Sequence, residues 1–296
     1  MNENKTNINW FPGHMAKTLR QMEQDLKLID IVIEILDARI PISSQNPSVK
    51  NIIKNKKKIV ILNKSDLAED LENKKWVQYF EKNNVSALLC DSNSGEGINK
   101  IEKTIEKVMQ EEKNKALEKG RTNKIIRAMV IGIPNVGKSS LINRISKKAV
   151  TQVGNKPGVT KQKQWIRLSN NIELLDTPGV LWPKFEREQV ALNLAYTGTI
   201  KSEILQETEI AYELIKYLLK EYKQNLIEKY KINLEELLNK NFEENERIVE
   251  VMNLIGKSRG ALVKGGEIDL EKTSKIILDD FKNGRLGKIT LEKVGK

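Results

Sequence analysis

An α/β fold is what this sequence predicts: a mostly parallel sheet of about six strands, followed by a smaller, mainly α-helical domain. Apolar, β-branched runs alternate with helix-like segments as far as about Lys184, the pattern of βα units around a parallel sheet. Beyond Lys184 those runs stop and helical periodicity replaces them. The length of 296 residues accommodates two domains.

The expected strands are Ile29–Leu36, Lys58–Leu62, Ala87–Cys90, Ile125–Gly132, Trp165–Leu168 and Ile172–Leu175, with Asn170–Asn171 as a turn between the last two. Between them Glu111–Lys124, EEKNKALEKGRTNK, is charged and poor in apolar residues, and it reads as an exposed connection. Helices are expected over Thr208–Lys223, with Thr208 as the N-cap, and over Asn233–Asn239, Glu244–Ile255 and Leu270–Asn283. The expected domains are 1–184, which includes an amino-terminal extension and basic helix over 1–28, and 185–296.

Hydrophobic residues at 39% and charged residues at 31% exclude a disordered or fibrous chain. No apolar run approaches the roughly 18 residues of a membrane-spanning helix, and Met1–Asn9 lacks the apolar centre of a secretory signal, so a cytoplasmic protein without a membrane partner is expected. The single cysteine, Cys90, cannot form an internal disulfide and reads as a buried, inert thiol. A formal net charge of +11 favours polyanions, nucleic acid first, although an Ile- and Asn-rich composition leaves codon bias as a source of the same lysines.

Gly132-Ile133-Pro134-Asn135-Val136-Gly137-Lys138-Ser139 matches G-x-x-x-x-G-K-[ST] between an expected strand and a helix-like segment. Such a loop closes backbone N–H groups around phosphates, here over Asn135, Val136, Gly137, Lys138, Ser139 and Ser140. Lys138 then reaches the β- and γ-phosphates, and Ser139 offers a hydroxyl to Mg2+.

The base preference comes from Asn63-Lys64-Ser65-Asp66, the N-K-x-D guanine signature, at the end of a strand. The Asp66 carboxylate accepts from guanine N1–H and N2–H2, donors that adenine does not present together. Lys64 is expected to pack its stem across the base and Asn63 to tie the loop to the P-loop side. After the next strand, Ser92 is a candidate base contact, with Asn93 where a small apolar residue is usual.

Asp176-Thr177-Pro178-Gly179 has the form D-x-x-G: Asp176 would hold Mg2+ through water, and the Gly179 N–H would face the γ-phosphate. Thr160, in Lys156-Pro157-Gly158-Val159-Thr160, is the candidate switch threonine that closes onto Mg2+. Val180 stands where many GTPases carry a water-orienting Gln, which predicts slow turnover alone and a catalytic element supplied from elsewhere.

The guanine signature and its partner loop precede the P-loop, whereas a conventional GTPase has them last. The expected fold is therefore a P-loop GTPase domain of circularly permuted motif order, with 111–124 joining the old chain ends and D-x-x-G running directly toward the helical domain.

With Trp10-Phe11-Pro12-Gly13-His14-Met15, Asp37-Ala38-Arg39-Ile40-Pro41, Gly260–Glu267 and Gly284–Thr290, these motifs resemble the bacterial YlqF/RbgA family of permuted ribosome-assembly GTPases over nearly the whole chain. The resemblance implies a cytoplasmic factor that binds the immature large ribosomal subunit, both RNA and proteins, late in assembly, hydrolyses GTP to GDP, and leaves. It also suggests His14 as the missing catalytic group; helix capping and RNA contact remain open for that residue. Asn135 resembles the loop asparagine of GTPases that use K+ as a catalytic charge, or it braces the loop. Lys17, Arg20, Lys27, Lys257, Arg259, Lys264, Arg285 and Lys288 are candidate phosphate contacts on a chain expected to be monomeric. The alternative is a GTP-gated switch that binds RNA or protein outside the ribosome.

Overall fold

The computed structural model describes residues 13–120, 124–153, 165–182, 185, 187–200, 206–238 and 242–295. They fall into two compact units, Met1–Lys184 with Thr290–Lys296, and Phe185–Ile289.

In the first unit the order is α1 (Gly13–Asp25), β1 (Ile31–Asp37), α2 (Pro47–Ile53), β2 (Lys57–Asn63), α3 (Asp70–Lys82), β3 (Ser86–Cys90), α4 (Ile101–Val108), α5 (Gln110–Glu118), β4 (Ile126–Ile131), α6 (Lys138–Val153), β5 (Trp165–Ser169) and β6 (Ile172–Asp176). The sheet runs β3-β2-β1-β4-β6-β5. β5 is antiparallel to β6 across the Asn170–Asn171 turn, and the remaining neighbours are parallel. Parallel pairing brings the carboxyl ends of β1, β2, β3, β4 and β6 to one edge, with the winding reversed between β1 and β4. In open α/β sheets that is where ligands bind.

β1 reads IVIEILD because a central parallel strand is covered on both faces. Val32, Met129, Ile131 and Leu175 pack with Met22 of α1, Leu26 in the turn after it, and Val49 and Ile53 of α2. Leu36, Val60, Leu62 and Ala87 pack with Trp76 and Phe80 of α3. Buried Glu34 is paired with Lys58 at 2.7 Å. Tyr79 is exposed, its ring set edge-on to Trp76.

Two expectations need correction in this unit. The charged 111–124 connection is helical as far as Glu118, because Glu, Lys, Ala and Leu are strong helix formers and Glu112 pairs with Lys57 at 2.8 Å. The helical domain does not extend to 296: Thr290–Lys296 belongs to the first unit, where Thr290 Oγ1 accepts from Glu69 N–H at 3.0 Å and Val294 packs on the α3 core.

The second unit contains α7 (Glu188–Tyr196), α8 (Glu207–Glu221), α9 (Lys223–Tyr230), α10 (Glu235–Leu238), α11 (Glu244–Ser258) and α12 (Leu270–Lys282). Ile210, Ala211, Leu214, Ile215 and Leu218 form the buried stripe of α8, which meets α11 and α12. Tyr212 Oη donates to Asn245 Oδ1 at 2.6 Å, joining α8 to α11. The N-cap of α8 is Gln206 rather than Thr208, and its side chain makes no capping bond. No helix of the described residues is long and apolar enough to cross a membrane.

Candidate nucleotide site

The P-loop leaves β4 and opens α6, and the guanine signature leaves β2 two strands away. Asn63, 1% exposed, links them. Its Nδ2 donates to Val136 O at 2.7 Å, and its Oδ1 accepts from Ser92 N–H at 3.0 Å and Ser92 Oγ–H at 2.7 Å. Ser92, expected as a base contact, thus holds the Asn63 amide in orientation. One side chain from β2 thereby ties together the three loops that a guanine nucleotide spans.

Gly137 makes that link possible. Its φ is +91°, and a Cβ there would lie 2.2 Å from Asn63 Nδ2. Gly179 likewise lies against the P-loop backbone: a Cβ would come within 3.0 Å of Pro134 N. Asn135 also has positive φ, 63°.

Lys64 is left-handed at φ 58°, a conformation that turns the chain sharply out of β2. Its ammonium lies 2.9 Å from Asp37 Oδ2, which anchors the head of the side chain to the end of β1. Asp37 also receives Arg39 Nε at 3.0 Å and Arg39 Nη2 at 2.9 Å. Burial works against the charged form, but Arg39 and Lys64 prevail and hold the Asp37 carboxyl well below the usual carboxylate range. Asp66 follows in the short turn after Lys64; partial desolvation and the neighbouring Asp91 carboxylate raise its carboxyl above the ordinary value.

The loop after β3 is shaped by Asp91, whose carboxylate accepts from Asn93 N–H at 2.7 Å and Ser94 N–H at 3.0 Å. Arg144 of α6 crosses to the same loop, donating from Nη1 to Asn93 O at 2.6 Å and from Nη2 to Ser94 O. Burial pushes the Cys90 thiol up to about 12, leaving it protonated and inert at neutral pH.

On the phosphate side, Lys138 Nζ meets Asp176 Oδ1 at 2.5 Å. Thr177 Oγ1 donates to Val130 O at 2.7 Å, fixing the D-x-x-G segment beside β4. Ser139 and Ser140 are exposed at the start of α6, whose N–H groups and dipole favour an anion. Among the described residues no group of three or more His, Cys, Asp or Glu is placed to hold a metal. A hydroxyl and one carboxylate are instead the hard, sparse donor set that suits Mg2+ shared with phosphates.

Val180 is buried, and its carbonyl accepts from Asn46 Nδ2 at 2.7 Å. Thr160 and Trp10–Pro12 lie outside the described residues; His14 falls within α1, and its side chain lies outside them too. Asn46, Arg144 and Glu292 are site-shaping residues that the sequence reading missed. Asn46-Pro47 carried a signal as an N-cap followed by proline at the first helical position. Arg144 and Glu292 had none, because their partners are distant in sequence.

This arrangement defines a P-loop GTPase of circularly permuted order, whose guanine-reading half precedes its phosphate-holding half along the chain. The family model described as "50S ribosome-binding GTPase" matches residues 127–254, starting in β4 and so beyond Asn63–Asp66. Ribosome biogenesis GTPase A of Bacillus cereus is 45% identical, the match covering 96% of this chain and 93% of that protein. Its Thermotoga maritima counterpart is 28% identical over 97% and 94%. The crystal structure of GNP-bound YlqF from T. maritima superimposes with a TM-score of 0.63 at 25% identity, covering 94% of this chain and 98% of that one. The chain belongs to the ribosome biogenesis GTPase A family, and it hydrolyses GTP to GDP and phosphate.

Proposed function

We propose that this GTPase binds the immature large ribosomal subunit and couples GTP hydrolysis to a late assembly step and to its own release. The observation that carries the proposal is the course of the chain after D-x-x-G: it is held at Gly179 and Val180 against the P-loop and α2, then continues into the helical unit at Phe185. A segment that responds to the γ-phosphate thereby leads covalently into a unit whose Lys257, Arg259, Lys264, Arg285 and Lys288 are exposed. Arg259 stacks over the Tyr230 ring at 5.1 Å, and Arg285 is braced at 2.5 Å by Asp280; both guanidinium groups are oriented in advance. The names of the relatives support the ribosome as partner.

In this reading Asp66 pairs with the guanine edge, Lys138 and Gly179 hold the phosphates, and Ser139, Thr160 and Asp176 hold Mg2+, which would offset phosphate charge. Val180 cannot orient water, so turnover is slow until His14, K+ at Asn135, or both complete the site on the subunit.

Co-sedimentation with isolated large subunits tests the proposal. Retention with a non-hydrolysable GTP analogue, release with GDP, and turnover stimulated on the order of tenfold or more by subunits are expected. His14→Ala should lower the stimulated kcat by about 10²-fold without weakening retention. The same assay in matched KCl and NaCl reads the K+ contribution as a faster rate in KCl. No association with large subunits in any nucleotide state would overturn the reading and favour a non-ribosomal target.

A further inference from the structure

The segment 38–46, between β1 and α2, belongs to none of the nucleotide motifs, yet it joins them. Ala38 N–H donates to Asn63 O at 2.8 Å, beside the guanine signature. Ser44 Oγ donates to Ile40 O at 2.7 Å and accepts from Asp37 N–H at 3.2 Å, closing the segment into a compact turn. Asn46 ends it with both sides of its buried amide engaged. Oδ1 caps α2 by accepting from Ser48 N–H at 2.9 Å and Val49 N–H at 3.4 Å, while Nδ2 holds Val180 O at 2.7 Å. The carbonyl just past D-x-x-G is therefore fixed by the residue that closes this turn.

What holds the turn itself is the carboxyl terminus. Leu291 N–H and Glu292 N–H donate to Arg39 O at 3.0 and 3.3 Å. The Glu292 carboxylate accepts from Ile42 N–H at 2.6 Å, from Ser43 N–H at 3.0 Å and from Ser43 Oγ–H. Trp76 Nε1 donates to Glu292 O at 2.8 Å, and Val294 N–H to Glu72 Oε2 at 3.3 Å. A carboxylate receiving several N–H and O–H donors is a strong, geometrically specific anchor.

We infer that Glu292 and Asn46 are positioning residues of the GTPase centre, the strap Thr290–Val294 holding the 38–46 turn so that Asn46 fixes the Val180 carbonyl and with it the D-x-x-G segment. The strap begins where the helical unit ends at Ile289, so that unit is joined by chain to the centre at both of its ends, to D-x-x-G on one side and to the strap on the other. The inference rests on GTP hydrolysis alone and not on the ribosomal partner.

Single-turnover hydrolysis and GDP affinity of the full chain without ribosomes test it. Asn46→Ser keeps a good N-cap for α2 but is too short to reach Val180. It should lower the hydrolysis rate about tenfold, the loss of one buried hydrogen bond, while the GDP Kd changes less than about threefold. Glu292→Ala should lower the rate similarly, and Glu292→Gln, which keeps an acceptor oxygen, should fall between Ala and the native residue. Combining Asn46→Ser with Glu292→Ala should slow hydrolysis little further than either alone, because both act through one carbonyl. Native rates in Asn46→Ser or Glu292→Ala, or losses that multiply in the double variant, would overturn the inference. If Glu292→Ala melts before it can be assayed, Asn46→Ser and Glu292→Gln decide by the same criteria.

Discussion

Gly137→Ala is expected to weaken GDP and GTP binding by about 100-fold or more, a larger loss than left-handed backbone strain gives by itself, roughly 1–2 kcal/mol. The added methyl would sit 2.2 Å from Asn63 Nδ2, and Asn63 has no room to yield. It is buried at the end of β2, donating to Val136 O and accepting twice from Ser92. Moving it breaks three hydrogen bonds and leaves buried polar atoms without partners, at about 1–3 kcal/mol each. The loss falls where phosphate loop and guanine loop join, so affinity for both nucleotides drops together. Gly120→Ala is the control: Gly120 has φ +72° and a Cβ there would meet nothing within 4 Å. Isothermal titration with GDP should leave Gly120→Ala near native affinity and detect little binding by Gly137→Ala.

Asp37→Asn is the second large effect, and it falls on stability. The carboxylate lies between Arg39, whose side chain is 1% exposed, and Lys64, and removing its charge takes from the buried guanidinium the carboxylate that its Nε and Nη2 both reach. Breaking one side of a buried pair costs about 3–5 kcal/mol. The pH dependence follows from the direction of the shift. Asp37 titrates lower in the folded chain than in the unfolded one, where the carboxyl has its ordinary value of about 4; its contribution is full above that value and is lost as pH falls below it. Urea unfolding should therefore show Asp37→Asn destabilised at pH 7, with the gap to the native chain narrowing as the pH is taken below about 4. Guanine affinity should also weaken, because Lys64 loses the partner that fixes the start of the Asp66 turn.

The sheet was legible because continuous β-branched runs bounded by turns have few alternatives, and each expected strand lies within two residues of the observed one. The helices of the second unit were less so. α9 begins after a single break at Tyr222, where φ is −140°, and nothing in the local residues marks a helix divided there. α5 was hidden by its charge: Ala116 is its one buried residue among the described side chains, so intrinsic propensity outweighed the missing apolar face.

The phosphate and guanine motifs could be read because each is a short contiguous string that carries its own binding groups, backbone N–H and Lys138 in one and the Asp66 carboxylate in the other. What could not be read are the contacts between strings. Asn63 with Val136, Asn46 with Val180 and Glu292 with Ser43 join residues 73, 134 and 249 positions apart, and only the folded chain brings them together. The same holds for the Ser92 donors, which go to Asn63, and for Thr290–Lys296, which joins the first unit rather than the helical one that precedes it in the chain.

The central claim, that a guanine-reading loop lying ahead of the P-loop in the chain completes its nucleotide site, is tested most directly by exchanging the base. In xanthine a carbonyl replaces the guanine N2 amine, so a carboxamide in place of the Asp66 carboxylate offers the complementary donor while still accepting from N1–H. Asp66→Asn is predicted to lose GTP affinity by about 100-fold and to gain affinity for XTP by a comparable factor, with XTP hydrolysed at the rate the native chain hydrolyses GTP. Unchanged GTP affinity in Asp66→Asn, or its loss with no gain for XTP, would contradict the account.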